Sequence, residues 1–193
     1  ADFTPSRALT GPLLVVLLAI HVLVRVKPDL TPYFLVWNSS LAAGHYWTLF
    51  TPGLLHTGTF HLLMNLLFLY YWGPIAEGLS GRLRYLALYL TTSVAATLVS
   101  YLGNVVFEGN VLAGHGASGF GFGLVGYLVV LHLRWGIGPK QEVTRIGYLA
   151  TIILTAGFAS QFWGIHYLDN WGHLGGLLAG GLLALLLPRP KGH

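Results

Sequence analysis

Apolar residues gather in six stretches along this chain, at roughly 8–26, 59–78, 83–107, 117–134, 146–163 and 172–187. A helix needs about 20 residues to cross a bilayer, so each stretch predicts a membrane-spanning helix. The first and last are short by that measure, and snorkelling Arg25 and Arg189 can complete their ends. The longest connection, 27–58, is rich in aromatic residues and proline, among them Pro28, Pro32, Tyr33, Phe34, Trp37, Tyr46, Trp47 and Phe50. It reads either as an interfacial loop with its rings at headgroup depth or as a structured lobe lying in the outer leaflet.

Composition strengthens the membrane reading. Of 193 residues, 54% are hydrophobic and 8% charged, too few charges to cover a soluble globule of this size. One domain over residues 1–193 is the expectation at this length. The chain has no cysteine, which excludes disulfides, thiolate metal sites and a cysteine nucleophile. A net charge of +4 would suit nucleic acid, but in a membrane protein basic residues mark cytoplasmic loops, so no nucleic-acid partner is expected. With the N-terminus inside, the inner segments hold Arg7, Arg82, Arg84, Arg134, Lys140, Arg145, Arg189 and Lys191, against Arg25 and Lys27 outside. That bias predicts an all-α bundle of six transmembrane helices. Both termini would be cytoplasmic and the first loop long and extracytoplasmic. Arg7 and the apolar run after it imitate a signal peptide. Arg25 and Lys27 stand where a small-residue cleavage site would be, so the run is read as a first span.

Polar groups inside a membrane are costly and mark functional sites. In this topology His61, Asn65, Ser118 and His173 all fall at similar depth on the outer side. His61 and Asn65 are four apart and share a helix face. His173, Gly176 and Gly180 share another, and Gly119 and Gly123 give the fourth stretch a matching small-residue face for close packing. If those faces meet, His173 reaches Ser118, and a serine beside a histidine is an activated nucleophile. Ser118 also opens its helix, where free N–H groups can hold an oxyanion. Alone, each feature has a plainer reading as helix packing, an interfacial histidine or an interhelical hydrogen bond. A metal site from His61 and His173 lacks a third ligand, and no metal or other cofactor is expected. Asp169, four residues before His173, reads more readily as a solvated loop charge than as a third catalytic member, so a Ser–His dyad is expected.

At these residues the chain resembles the rhomboid family of intramembrane serine proteases. The resemblance spans roughly residues 45 to 181. It rests on His56, His61-Leu-Leu-Met-Asn65, Glu77, Gly116-Ala-Ser118-Gly119 and His173-x-x-Gly176-x-x-x-Gly180, in that order and spacing. It implies Ser118 as nucleophile and His173 as general base. His61, Asn65 and the backbone N–H groups of Ser118 and Ala117 would form the oxyanion hole. Gly116 would make room for the substrate backbone, and Trp47 would lie in a membrane-embedded first loop. His56 is implied as a site-shaping residue. Substrates would be transmembrane protein segments in the lipid bilayer, and the location a prokaryotic plasma membrane with the site facing outward.

Two positions depart from the family pattern. Thr48 follows Trp47 where many members have arginine, and Phe122 replaces a tyrosine that packs on the catalytic histidine. Phe122 can keep the ring stacking without the hydroxyl. An alternative reading is a non-catalytic member that binds membrane helices as a chaperone or as a subunit of a larger membrane complex. A small transporter or pigment-binding subunit with His21 and His132 as ligands is a weaker reading, because neither has a partner in the sequence pattern.

Overall fold

Backbone that enters hydrocarbon must satisfy its own N–H and C=O groups, and a helix does so within one segment. The computed structural model describes residues 5–36, 40–41, 43–107, 109, 115–161 and 168–190. Among these, six α-helices run 17 to 22 residues and no strand occurs: α1 (Thr10–Val26), α2 (Thr59–Ser80), α3 (Arg82–Ser100), α4 (Ser118–Trp135), α5 (Lys140–Gln161) and α6 (Asn170–Leu186). Arg82–Asn104 and Lys140–Ser160 are each long and apolar enough to cross a membrane. α1 and α6 are apolar at 17 residues, about 26 Å of helix.

Two boundaries differ from expectation. α5 begins six residues before the apolar stretch at 146, because its first turns are polar and carry an exposed Glu142–Arg145 pair at 3.0 Å. The apolar run 83–107 is not one regular helix: it changes to a π-helical turn over Tyr101–Phe107. Between α1 and α2 the described residues include three short 3-10 segments, Pro28–Phe34, Tyr46–Leu49 and Thr51–Leu54. Trp37, one of the aromatics of this connection, lies outside the described residues.

α4 forms the axis of the bundle. Phe120, Leu124, Tyr127, Leu128 and Leu131 are all at most 1% exposed, covered by the other helices. Outward, the helices present Val15, Leu18, Val22, Leu86, Leu90, Tyr148, Ile152, Leu178 and Leu182. So many large apolar side chains on several helices would be a liability in water and suit a lipid-facing surface.

One end of the bundle is tied by polar contacts. Glu77, near the end of α2, accepts from Leu9 N (3.0 Å), Thr10 N (2.9 Å), Thr10 Oγ1 (2.8 Å) and Ser6 Oγ (2.9 Å). It thereby caps α1 from a neighbouring helix, which satisfies N–H groups that α1 cannot pair itself. At the same end Arg84 donates to the Pro188 carbonyl at 2.8 Å, and Arg134 to the carbonyls of Ala184 and Leu185. These cations sit at the C-terminus of α6, where the helix dipole favours positive charge.

Candidate active site

Glycine brings α4 and α6 into backbone contact. A Cβ added at Gly176 would overlap the carbonyl oxygen of Gly119, one at Gly180 that of Gly123, and one at Gly126 that of Leu177. The expected small-residue faces therefore meet, with main chain on main chain. The approach carries His173, 5% exposed, to the start of α4. There His173 Nε2 lies 2.9 Å from Ser118 Oγ. Phe122, one turn along α4, lies flat on the His173 ring at 4.3 Å with 12° between planes. The stacking survives the loss of the hydroxyl.

The turn ahead of Ser118 is held from outside α4. Gly116 has φ +118°, a conformation L side chains rarely adopt, and a Cβ there would stand 2.7 Å from His61 Cε1. Its N–H donates to the Pro52 carbonyl at 2.9 Å. The Ala117 N–H, expected at the oxyanion hole, donates instead to His56 Nε2 at 3.2 Å. Ser118 stands at the first position of α4, where an N–H has no partner inside the helix. His61 lies in the first turn of α2 and meets the His56 ring edge-on at 5.0 Å. Buried Asn65 donates one amide N–H to the His61 carbonyl at 2.9 Å, leaving the second available. Trp47 is set apart: its indole N–H donates to the Tyr33 carbonyl at 3.2 Å and its ring stacks on His45. Thr48, where arginine was the family expectation, is buried and donates to the His45 carbonyl at 2.7 Å.

Two features escaped the sequence. Asp169 is no solvated loop charge; it is the N-cap of α6, partly buried and accepting from the Gly172 N–H at 3.0 Å. His115 lies partly buried beside Ser118 and, with Ser93, Thr97 and Asp169, lines a cavity of about 20 Å³, room for about one water. Among the described residues no group of three potential ligands could hold a metal ion.

His56 makes this end of the molecule sensitive to acid. It is 1% exposed, and burial, with His61 and His115 nearby, holds its pKa down at about 3. Its Nε2 must stay unprotonated to accept from Ala117. The folded state therefore binds a proton less readily than the unfolded chain, whose histidine titrates near 6.5. Stability is full above that pH and falls progressively as pH drops from about 6.5 toward 3. Thermal melts in detergent should show the midpoint dropping between pH 7 and pH 4. His56→Gln, which keeps an acceptor for Ala117, should flatten the drop; an equal drop in both proteins would refute the assignment.

The rhomboid domain model matches residues 43–190. The chain belongs to the rhomboid family. Among its relatives, rhomboid protease GluP of Bacillus subtilis is 35% identical over 156 residues, 80% of this chain and 28% of GluP. The putative rhomboid protease YdcA of the same organism is 32% identical over 173 residues, 89% of this chain and 80% of YdcA. Rhomboid-like protease 2 of Toxoplasma gondii is 36% identical over 146 residues, 72% of this chain and 47% of that protein. This chain thus spans only about a quarter of GluP and about half of the Toxoplasma relative. As a rhomboid it is an integral membrane protein with a helical bundle, related to proteins named as proteases.

Proposed function

We propose that this rhomboid is an intramembrane serine endopeptidase that cleaves transmembrane segments of other proteins through a Ser118–His173 dyad. The observation that carries the reading is the 2.9 Å contact between Ser118 Oγ and His173 Nε2. Ser118 Oγ attacks the scissile carbonyl and its proton passes to His173 Nε2. The oxyanion so formed is held by the Ser118 N–H, the free amide N–H of Asn65 and the His61 ring. His173 then gives its proton to the leaving amine as the C–N bond breaks. Water hydrolyses the acyl-enzyme, and the cavity beside Ser118 has room for it. Ala117 contributes to the hole only where its bond to His56 is released.

Helices α1 to α6 are read as six spans. Arg84 and Arg134 bind the C-terminal end of α6, while Ser118 and His173 lie at the opposite end. Under the positive-inside rule the first end is cytoplasmic, with both termini, and the site faces the extracytoplasmic side of a prokaryotic plasma membrane. The connection between α1 and α2 is then the long first loop.

The test is cleavage of a transmembrane substrate by the purified full chain in detergent or liposomes. Cleavage by wild type and none by Ser118→Ala supports the reading; equal cleavage by both rejects it. Asn65→Ala should keep activity but lower kcat/KM by about 10²–10³, the usual loss for one oxyanion donor. An unchanged kcat/KM would remove Asn65 from the hole.

A further inference from the structure

We infer that Asp169 is a positioning residue for His173: fixed at the start of α6, its carboxylate favours the protonated imidazole formed when Ser118 gives up its proton. The inference rests on the dyad reading above. A helix N-cap needs one hydrogen bond to one early N–H. Asp169 has more. Its Oδ1 accepts from Gly172 N at 3.0 Å, from Ser100 Oγ at 2.9 Å and from Asn104 Nδ2 at 2.8 Å. Asn104 also donates to Ser100 Oγ at 3.0 Å. The two added donors come from the end of α3 and the π-helical turn after it, so the carboxylate is locked between two elements. A regular α-helix through residue 104 would present Asn104 at a different angle.

His173 lies four residues on, one turn up the same face, and its own N–H donates to the Asp169 carbonyl at 2.9 Å. Asp169 also lines the cavity beside Ser118. His173 Nδ1 is buried and has no hydrogen-bond partner among the described residues. Because Nε2 accepts from Ser118, Nδ1 carries the proton, and no acceptor touches it as the aspartate of a triad does. An imidazolium formed there would be a buried charge and costly without compensation. Among the described residues, His61 on α2 also acts on His173, and His115 shares the cavity with Ser118 and Asp169; neither histidine can supply negative charge. Of the other described carboxylates, Glu77 is engaged with α1 at the far end, Glu142 pairs with Arg145, and Asp29 sits in the first connection. Among the described residues Asp169 is the anion left to the site, and low dielectric extends its reach. It works through space, with no contact to Nδ1.

The experiment follows the pH dependence of fluorophosphonate labelling of Ser118 in the full chain, in detergent. It compares wild type, Asp169→Asn and Asp169→Ser, with a melting temperature for each. Asn and Ser cap helices about as well as Asp, so both variants remove the charge and keep the cap. The acid limb of the labelling rate should move to lower pH by roughly one unit in both variants, since a carboxylate near an imidazole holds its proton. The plateau rate should fall, and Asp169→Asn, whose amide oxygen can still accept from Ser100 and Asn104, should melt closer to wild type than Asp169→Ser. Should Asp169→Asn fold poorly, Asp169→Ser carries the same expectation. An unmoved acid limb in a variant that still labels makes Asp169 a cap alone and overturns the inference. Absence of Ser118-dependent labelling in wild type is a distinct result: it overturns the dyad reading, and this inference with it.

Discussion

Ser118→Ala should abolish fluorophosphonate labelling and lower substrate cleavage by on the order of 10⁴-fold or more, and His173→Ala should do nearly as much. In the proposed dyad the two side chains would perform one step: oxygen attacks only as fast as nitrogen takes its proton. The double variant should therefore be no slower than the worse single one, the non-additivity expected of groups that act as a unit. Ser118→Ala should still fold, since the hydrogen bond its hydroxyl gives up is the one to His173 Nε2 and not one to the backbone of α4. Cleavage kinetics of the three variants and a melt of each decide the matter. If His173→Ala retains near-wild-type activity, a different base must be found.

Gly176→Ala should be more damaging than a single methyl group suggests. The new Cβ would overlap the Gly119 carbonyl oxygen, which is main chain and cannot rotate away. Relief requires α4 and α6 to separate, and overpacking of this kind costs about 1–3 kcal/mol. Separation also pulls His173 from Ser118, and a misplacement of about 1 Å can cost about 10²-fold in rate. Gly181→Ala, on the same helix, is the control. Its Cβ would sit 3.4 Å from a Val130 methyl, and alanine favours helix by about 1 kcal/mol over glycine. The expected pattern is a lower melting temperature and lost labelling for Gly176→Ala, against neutral or higher stability and full labelling for Gly181→Ala. Similar behaviour of the two would mean that the seam is not tight.

The contrast between these glycines shows what could be read from sequence. Spacing alone paired Gly119 and Gly123 with Gly176 and Gly180, because helical periodicity fixes which residues share a face. It also set His61 one turn from Asn65. What it could not supply were partners distant along the chain. Asp169 reads as a loop charge until Ser100 and Asn104, more than 60 residues earlier, are seen to hold it. The engagement of the Ala117 N–H by His56 is hidden for the same reason. Hydropathy likewise sees only the apolar part of α5 and misses the polar turns before it. Nor does an apolar run announce where the α-helix of α3 gives way to a π-helical turn.

The anchoring of α6 has a mechanical consequence. Asp169 fastens one end to α3, and Arg84 and Arg134 fasten the other. Between these points the helix behaves as a beam clamped at both ends and laid, at its glycines, directly against a second backbone. It can neither piston along its axis nor roll about it without breaking a clamp. Under the proposed function, any deformation that admits a substrate would be taken up by other parts of the molecule, and the spacing of Ser118 and His173 is inherited from the frame.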